Sequence, residues 1–182
     1  MPSRRQAATW LVLLPALGNA SGMTAPREVH AELPNATLGG NIRFTFLGFS
    51  VYDASLWVTP GFATQDYDRH PFALVLTYLR DFTAESIAQR SVSEMRRQPG
   101  ATEATLDTWA RRMREVFPDV RKGDRLTGTH RPGEGARFHA NGQLAGSITD
   151  ADFSRRFFGI WLSAQTSDSR LRDAIAAPAA KR

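Results

Sequence analysis

A chain of 182 residues is long enough for one domain with a sizeable core, and its lack of cysteine excludes disulfides, thiolate nucleophiles and cysteine-held metals. Its 42% hydrophobic and 23% charged content are ordinary for a globular chain. The formal charge of +5 includes Arg4 and Arg5; without them 21 Lys+Arg face 18 Asp+Glu, a balance of +3, too modest to argue for nucleic acid or a membrane surface.

Residues 1–20 read as a secretory signal peptide, which predicts a periplasmic or secreted protein. Arg4 and Arg5 form a basic head and Ala7 to Leu17 an apolar stretch broken only by Thr9 and Pro15. Gly18-Asn19-Ala20 offers a small-residue cleavage site, and Ala25 a second. No run in the mature chain approaches the ~20 apolar residues of a transmembrane helix.

Val29 to Leu33 reads as a short first strand, ended by Pro34-Asn35. Residues 39–57 then form the longest stretch with strand character, from Gly39-Gly40 to the Thr59-Pro60-Gly61 break. Its alternation breaks once near Gly48, which predicts a β-bulge there. With that bulge, Arg43, Thr45, Ser50 and Tyr52 would share one face. Arg43 is the cation of this apolar, aromatic segment, and either snorkels at a rim or holds an anion. Residues 59–71 read as a loop, and 72–79 as a strand buried on both faces.

Thr83 is the expected cap of a helix whose apolar stripe is Ala84, Ile87, Ala88, Ser91, Val92 and Met95, stopped by Pro99-Gly100. A second helix carries Leu106, Trp109, Ala110, Met113, Val116 and Phe117, and Pro118 ends it. Arg111, Arg112, Arg114, Arg121, Lys122 and Arg125 are interrupted by Glu115, Asp119 and Asp124, and read as a solvated face and loop. Strands are expected at 125–130, 136–140 and 143–148, with Asn141-Gly142 as a type I′ hairpin turn. Asp150 should cap a third helix with Phe153, Phe157, Ile160, Trp161 and Ala164 inward and Arg155 and Arg156 outward. A last short helix would carry Leu171 and Ile175. The layout is α+β: a largely antiparallel sheet covered on one side by helices, in one domain over 28–176.

No metal site or cofactor is expected. His30, His70, His130 and His139 are dispersed, and His130 and His139, which could meet across adjacent strands, lack a third ligand. There is neither a Gly-x-Ser-x-Gly elbow nor a phosphate-cradling glycine loop.

Gly39-Gly40-Asn41-Ile42-Arg43, followed by Val51-Tyr52 and Leu56-Trp57, resembles the Gly-x-Gly-Val-Arg … Val-Tyr strands of chalcone isomerase-like proteins. Phe117-Pro118-Asp119-Val120 with Gly123-Asp124, Phe138-His139-Ala140-Asn141-Gly142, Gly146-x-Ile148-x-Asp150 and Phe157-Phe158-Gly159-Ile160-Trp161-Leu162 are similar to the bacterial secreted branch of that family. The resemblance covers about 30–175. It implies an open-faced β-sandwich with a ligand cleft between sheet and helices. It also implies two functions: flavanone ring closure, as in the plant isomerases, or carboxylate capture by an arginine and a tyrosine, as in fatty-acid-binding relatives. Arg43 falls on the family arginine and Tyr52 on a strand tyrosine of the motif. The helical tyrosine of the plant enzymes would fall in 84–97, where this sequence has none and Glu94 or a neighbour takes its place.

The first reading is therefore a binder of a small amphipathic anion, fatty-acid-like or phenolic, without turnover. Arg43, Tyr52, Tyr78, Glu94 and Trp109 are its candidate ligand contacts. The alternative is an intramolecular lyase in which Arg43 holds a phenolate while Thr45 and Tyr52 polarise the ketone of a chalcone-like enone. A third reading is an interaction module of the cell envelope.

Overall fold

The computed structural model describes residues 23–167, 169, 172 and 173. The expected leader, Asp168 and the expected last-helix residues Leu171 and Ile175 lie outside the described residues. In chain order the elements are α1 (Arg27–Glu32), β1 (Thr37–Phe46), β2 (Phe49–Val58), β3 (Phe72–Tyr78), α2 (Ala84–Met95), α3 (Glu103–Val116), β4 (Arg125–Arg131), β5 (Gly135–Ala140), β6 (Gln143–Ile148) and α4 (Ala151–Leu162).

The strands form a six-stranded antiparallel meander in the order β1-β2-β3-β4-β5-β6. Because side chains alternate along a strand, each strand feeds two layers. Leu56, Phe72, Leu74, Leu76, Leu126 and Phe138 join α2, α3 and α4 in the main core. Trp57, Ala73 and Val75 face the other way and pack with Val29 and Leu33 of the α1 segment. The expected α+β layout and the helix-covered sheet are both present.

The local signals for caps and turns hold. Thr83 accepts from Ser86 N–H at 3.1 Å and Asp150 from Phe153 N–H at 2.9 Å. Phe117, before Pro118, leaves the helical region with ψ of 133°. Asn141 and Gly142 turn the β5–β6 hairpin with φ of 49° and 83°. Gly128 is required by packing: a Cβ there would meet ring carbons of Phe138 and Phe158 at 3.1 Å.

Four expectations are corrected. Val29 to Leu33 is helical up to Glu32, because two i, i+4 pairs bury together. Val29 and Leu33 pack under the sheet, while Glu28 reaches Arg125 and Thr127 and Glu32 reaches Arg131 and Arg137. Residues 39–57 are a hairpin, not one strand. Leu47 and Gly48, with φ of 48° and 81°, are its turn, and register shifts lie between Leu38 and Gly40 and between Phe44 and Thr45. Arg156 is buried rather than outward, because its guanidinium donates to the carbonyls of Gln98 and Pro99 and to Asp152. His130 and His139 do not meet: their cross-strand partners are Ala136 and Thr127.

Candidate functional site

The layer between sheet and helices is filled at one end and hollow at the other. Beneath α4 and beside α3, Phe117, Phe138, Phe153 and Phe157 stack edge to face or in parallel, with centroid separations from 4.8 Å for Phe117–Phe138 to 6.4 Å for Phe138–Phe153. Beneath α2 the helix presents the short side chains Ser86 and Ser91 beside Ile87, and β1–β3 supply Phe44, Val51, Leu76 and Tyr78. Between them lies a cavity of about 520 Å³, closed at its α4 side by Phe157, Ile160 and Trp161. That volume falls within the roughly 300–1,000 Å³ of small-molecule sites.

The bulge opposite Phe44 and Thr45 turns both Val51 and Tyr52 toward this space. Tyr52 stacks on Phe44 at 5.0 Å, meets the edge of Tyr78 at 6.2 Å, and its hydroxyl accepts from Trp161 Nε1–H at 3.1 Å. Burial pushes the Tyr78 phenol far above its ordinary range, and neighbouring Tyr52 adds to the effect. Tyr78 is therefore a neutral hydroxyl at any ordinary pH. Glu94, also on the wall, pairs through one oxygen with Arg90 at 2.6 Å; its other oxygen is buried with no hydrogen-bond partner among the described residues.

The mouth lies at the tip of the β1–β2 hairpin. Phe46, Leu47 and Phe49 line it, and each phenyl ring carries a guanidinium: Arg80 sits 5.0 Å from the Phe49 centroid and Arg90 5.6 Å from that of Phe46. Arg80 makes no ion pair among the described residues, so its charge is available to an anion at the rim.

Of the residues singled out from sequence, Tyr52, Tyr78 and Glu94 meet at this cavity. Arg43 does not line it. It pairs across the hairpin with Asp53 on the solvent face of the sheet, donating twice to its carboxylate at 2.7 and 2.8 Å. That fork holds the Asp53 carboxyl below the usual carboxylate range, and the Arg43 side chain remains 59% exposed. Thr45 is exposed next to it, off the cavity. The cause is the bulge at Val51: the Leu47–Gly48 turn pairs Phe46 with Phe49 and Thr45 with Ser50, and the extra residue then sets Phe44 opposite Tyr52 and Arg43 opposite Asp53, so arginine and tyrosine point to opposite faces. Trp109 is in the filled end, donating to Asp150 at 2.9 Å, and is not a wall residue. Arg80 and Arg90 escaped the sequence reading; the available signal was Ser91 and Glu94 on the same helix face as Ile87, polar groups where a packed core would want apolar ones. Among the described residues no cluster of metal ligands occurs.

A family model described as chalcone isomerase-like matches residues 18–176. A curated Haemophilus influenzae protein, described as uncharacterized, is 26% identical over 133 residues, or 73% of this chain and 64% of that one. The chain thus spans less than two thirds of that relative's length. Among solved structures, an Arabidopsis thaliana fatty-acid binding protein superposes with a TM-score of 0.59 at 12% identity, covering 78% of this chain and 87% of that chain, a likeness of fold.

Proposed function

The chain belongs to the chalcone isomerase-like family, and from that premise we propose that it binds a small amphipathic anion, without turnover, between the sheet and α2. The observation that carries this reading is a hollow apolar interior whose mouth bears the guanidinium of Arg80, which has no ion pair among the described residues, with Arg90 beside it paired to Glu94. An acyl or aromatic body would lie along Leu76, Tyr78, Ile87, Phe157 and Ile160, and gains about 0.8 kcal/mol for each CH₂ removed from water. Its carboxylate or phenolate would stay at the rim, where Arg80 offers charge-assisted hydrogen bonds without full desolvation and Arg90, already paired with Glu94, adds its remaining N–H donors. The fatty-acid binding activity in the description of the Arabidopsis neighbour supports this class of ligand. The leader-like residues 1–20 support action outside the cytoplasm.

Ring closure would require a cation at an oxyanion within the cavity. Arg43, expected from sequence to supply it, is engaged by Asp53 on the other face.

The test is titration with decanoate by calorimetry. The wild type should bind one equivalent. Arg80→Ala/Arg90→Ala should weaken binding ~10-fold or more, since a hydrogen bond to a charged group is worth roughly 1.5–3 kcal/mol. Arg43→Ala should bind as the wild type does. Equal binding by wild type and the double variant, or no binding, would refute the assignment, and loss of chalcone absorbance on incubation would replace it with turnover.

A further inference from the structure

The cavity mouth is also the most apolar exposed point among the described residues. Phe46, Leu47 and Phe49 are 51%, 81% and 61% exposed at one hairpin tip. Folding does not ask for them. Leu47 holds a left-handed conformation that leucine adopts only against steric resistance and asparagine adopts readily. The same chain makes the same turn with Asn141-Gly142, at φ values within about 2° of those at Leu47-Gly48. Leucine at this position gives up backbone ease and, at 81% exposed, gains little burial from the chain itself.

Cations surround the tip. Arg80 and Arg90 cover the two phenyl rings. Arg121 and Lys122 are exposed on the adjoining loop, tied to this end of the sheet by Gly123 N–H on the Tyr78 carbonyl and Lys122 N–H on Asp81. The acids of the same end each have a partner: Asp81 the Lys122 amide, Asp119 the Ala84 amide, Asp124 the Arg121 amide and Asn141, and Glu94 the Arg90 guanidinium, whose charge it offsets. An aromatic and leucine wedge with arginine on its rings and arginine and lysine on the adjoining loop is the composition of segments that sit at a lipid headgroup boundary.

We propose that this tip docks on an anionic lipid surface, Phe46, Leu47 and Phe49 entering the headgroup–acyl boundary while Arg80, Arg90, Arg121 and Lys122 meet lipid phosphates. Because the three apolar residues also line the cavity, docking turns its mouth toward the acyl layer. An amphipathic anion then passes between bilayer and cavity without crossing water, a purpose that rests on the reading of the cavity given above. The overall charge gives no sign of this; the local arrangement does.

The test is co-sedimentation of the full chain with phosphatidylglycerol–phosphatidylethanolamine vesicles free of added fatty acid. Wild-type protein should sediment with them, and less so with phosphatidylcholine vesicles or in high salt. Leu47→Asn/Phe49→Ser, which reproduces the Asn-Gly turn, should partition ~10-fold more weakly. Ile160→Trp, which fills the cavity from α4 and leaves the tip untouched, should sediment like the wild type. Equal partitioning of wild type and the tip variant would overturn docking, as would wild type staying in the supernatant or self-associating through the tip instead. Decanoate binding without vesicle binding removes docking and leaves the cavity reading; vesicle binding without decanoate binding keeps docking and removes that reading.

Discussion

Under α4 the face of β4 and β5 is filled by Phe138, Phe153, Phe157 and Phe158, all buried, whereas under α2 the face of β1–β3 meets Ser86, Ile87 and Ser91 across open space. Both halves are covered by helices of similar length, 12 residues each for α2 and α4. The hollow therefore comes from side-chain size on one helix face, not from a missing element. A protein that needed only stability would fill both ends, since packed interiors leave few voids larger than a water molecule.

The sharpest way to break this comparison is truncation of one apolar side chain in each half. Phe138→Ala should cost about 3–5 kcal/mol, because it opens a cavity in a closed aromatic cluster. Ile87→Ala already borders free space and should cost less than about 2 kcal/mol, as fewer packing partners are lost. Urea unfolding of both variants reads the difference; equal losses would mean the two ends are equally packed.

A smaller effect separates the two faces of the sheet by pH. On the helix side, burial pushes His130 below its ordinary value, against the opposing pull of the Asp68 carbonyl that its Nε2 contacts at 3.0 Å. A histidine with a depressed folded pKa contributes stability above its unfolded value and loses it as pH falls, so the loss begins below about 6.5. On the α1 side, burial alone would raise Glu28 and Glu32, but hydrogen bonds from Arg125 and Thr127 to the first, and from Arg131 and Arg137 to the second, hold both carboxyls down. Their contribution is present above the ordinary glutamate value of 4.5 and disappears as pH falls through the lower folded values. Stability against pH should therefore fall in two stages, and His130→Gln should remove only the upper one. The smallest change expected is for Arg43→Ala, whose exposed pair with Asp53 is screened by solvent.

Much of the fold was legible because its signals are local. Thr83, Asp150 and Asn141-Gly142 act through hydrogen bonds or backbone geometry within three residues. The apolar run 72–79 needs only its composition to read as a central strand. What was not legible depended on distant partners. Val29 and Leu33 look like strand residues until Trp57, Ala73 and Val75 offer a surface for a helix. Arg156 looks like a solvent residue until the carbonyls of Gln98 and Pro99 surround its guanidinium. At the site, the family resemblance points to Tyr52 and Glu94 and residue type to Tyr78, all of which line the cavity, whereas Arg43 faces away from it. A Leu-Gly turn does not announce itself as Asn-Gly does, and the extra residue sits at Val51 and not at Gly48; that shift, beyond the turn, decides which face Arg43 takes.

Three tryptophans report on three places in the comparison. Trp161 donates to Tyr52 in the cavity, Trp109 to Asp150 in the filled end, and Trp57 to Ser55 on the opposite face. The most direct measurement is the indole N–H signals of these residues by nitrogen–proton NMR during titration with decanoate. A saturable shift of the Trp161 signal, with those of Trp109 and Trp57 fixed, is the predicted result. A Trp161 signal that stays in place at saturating decanoate, or a shift at Trp109 or Trp57 in its stead, would contradict a ligand site in the hollow half.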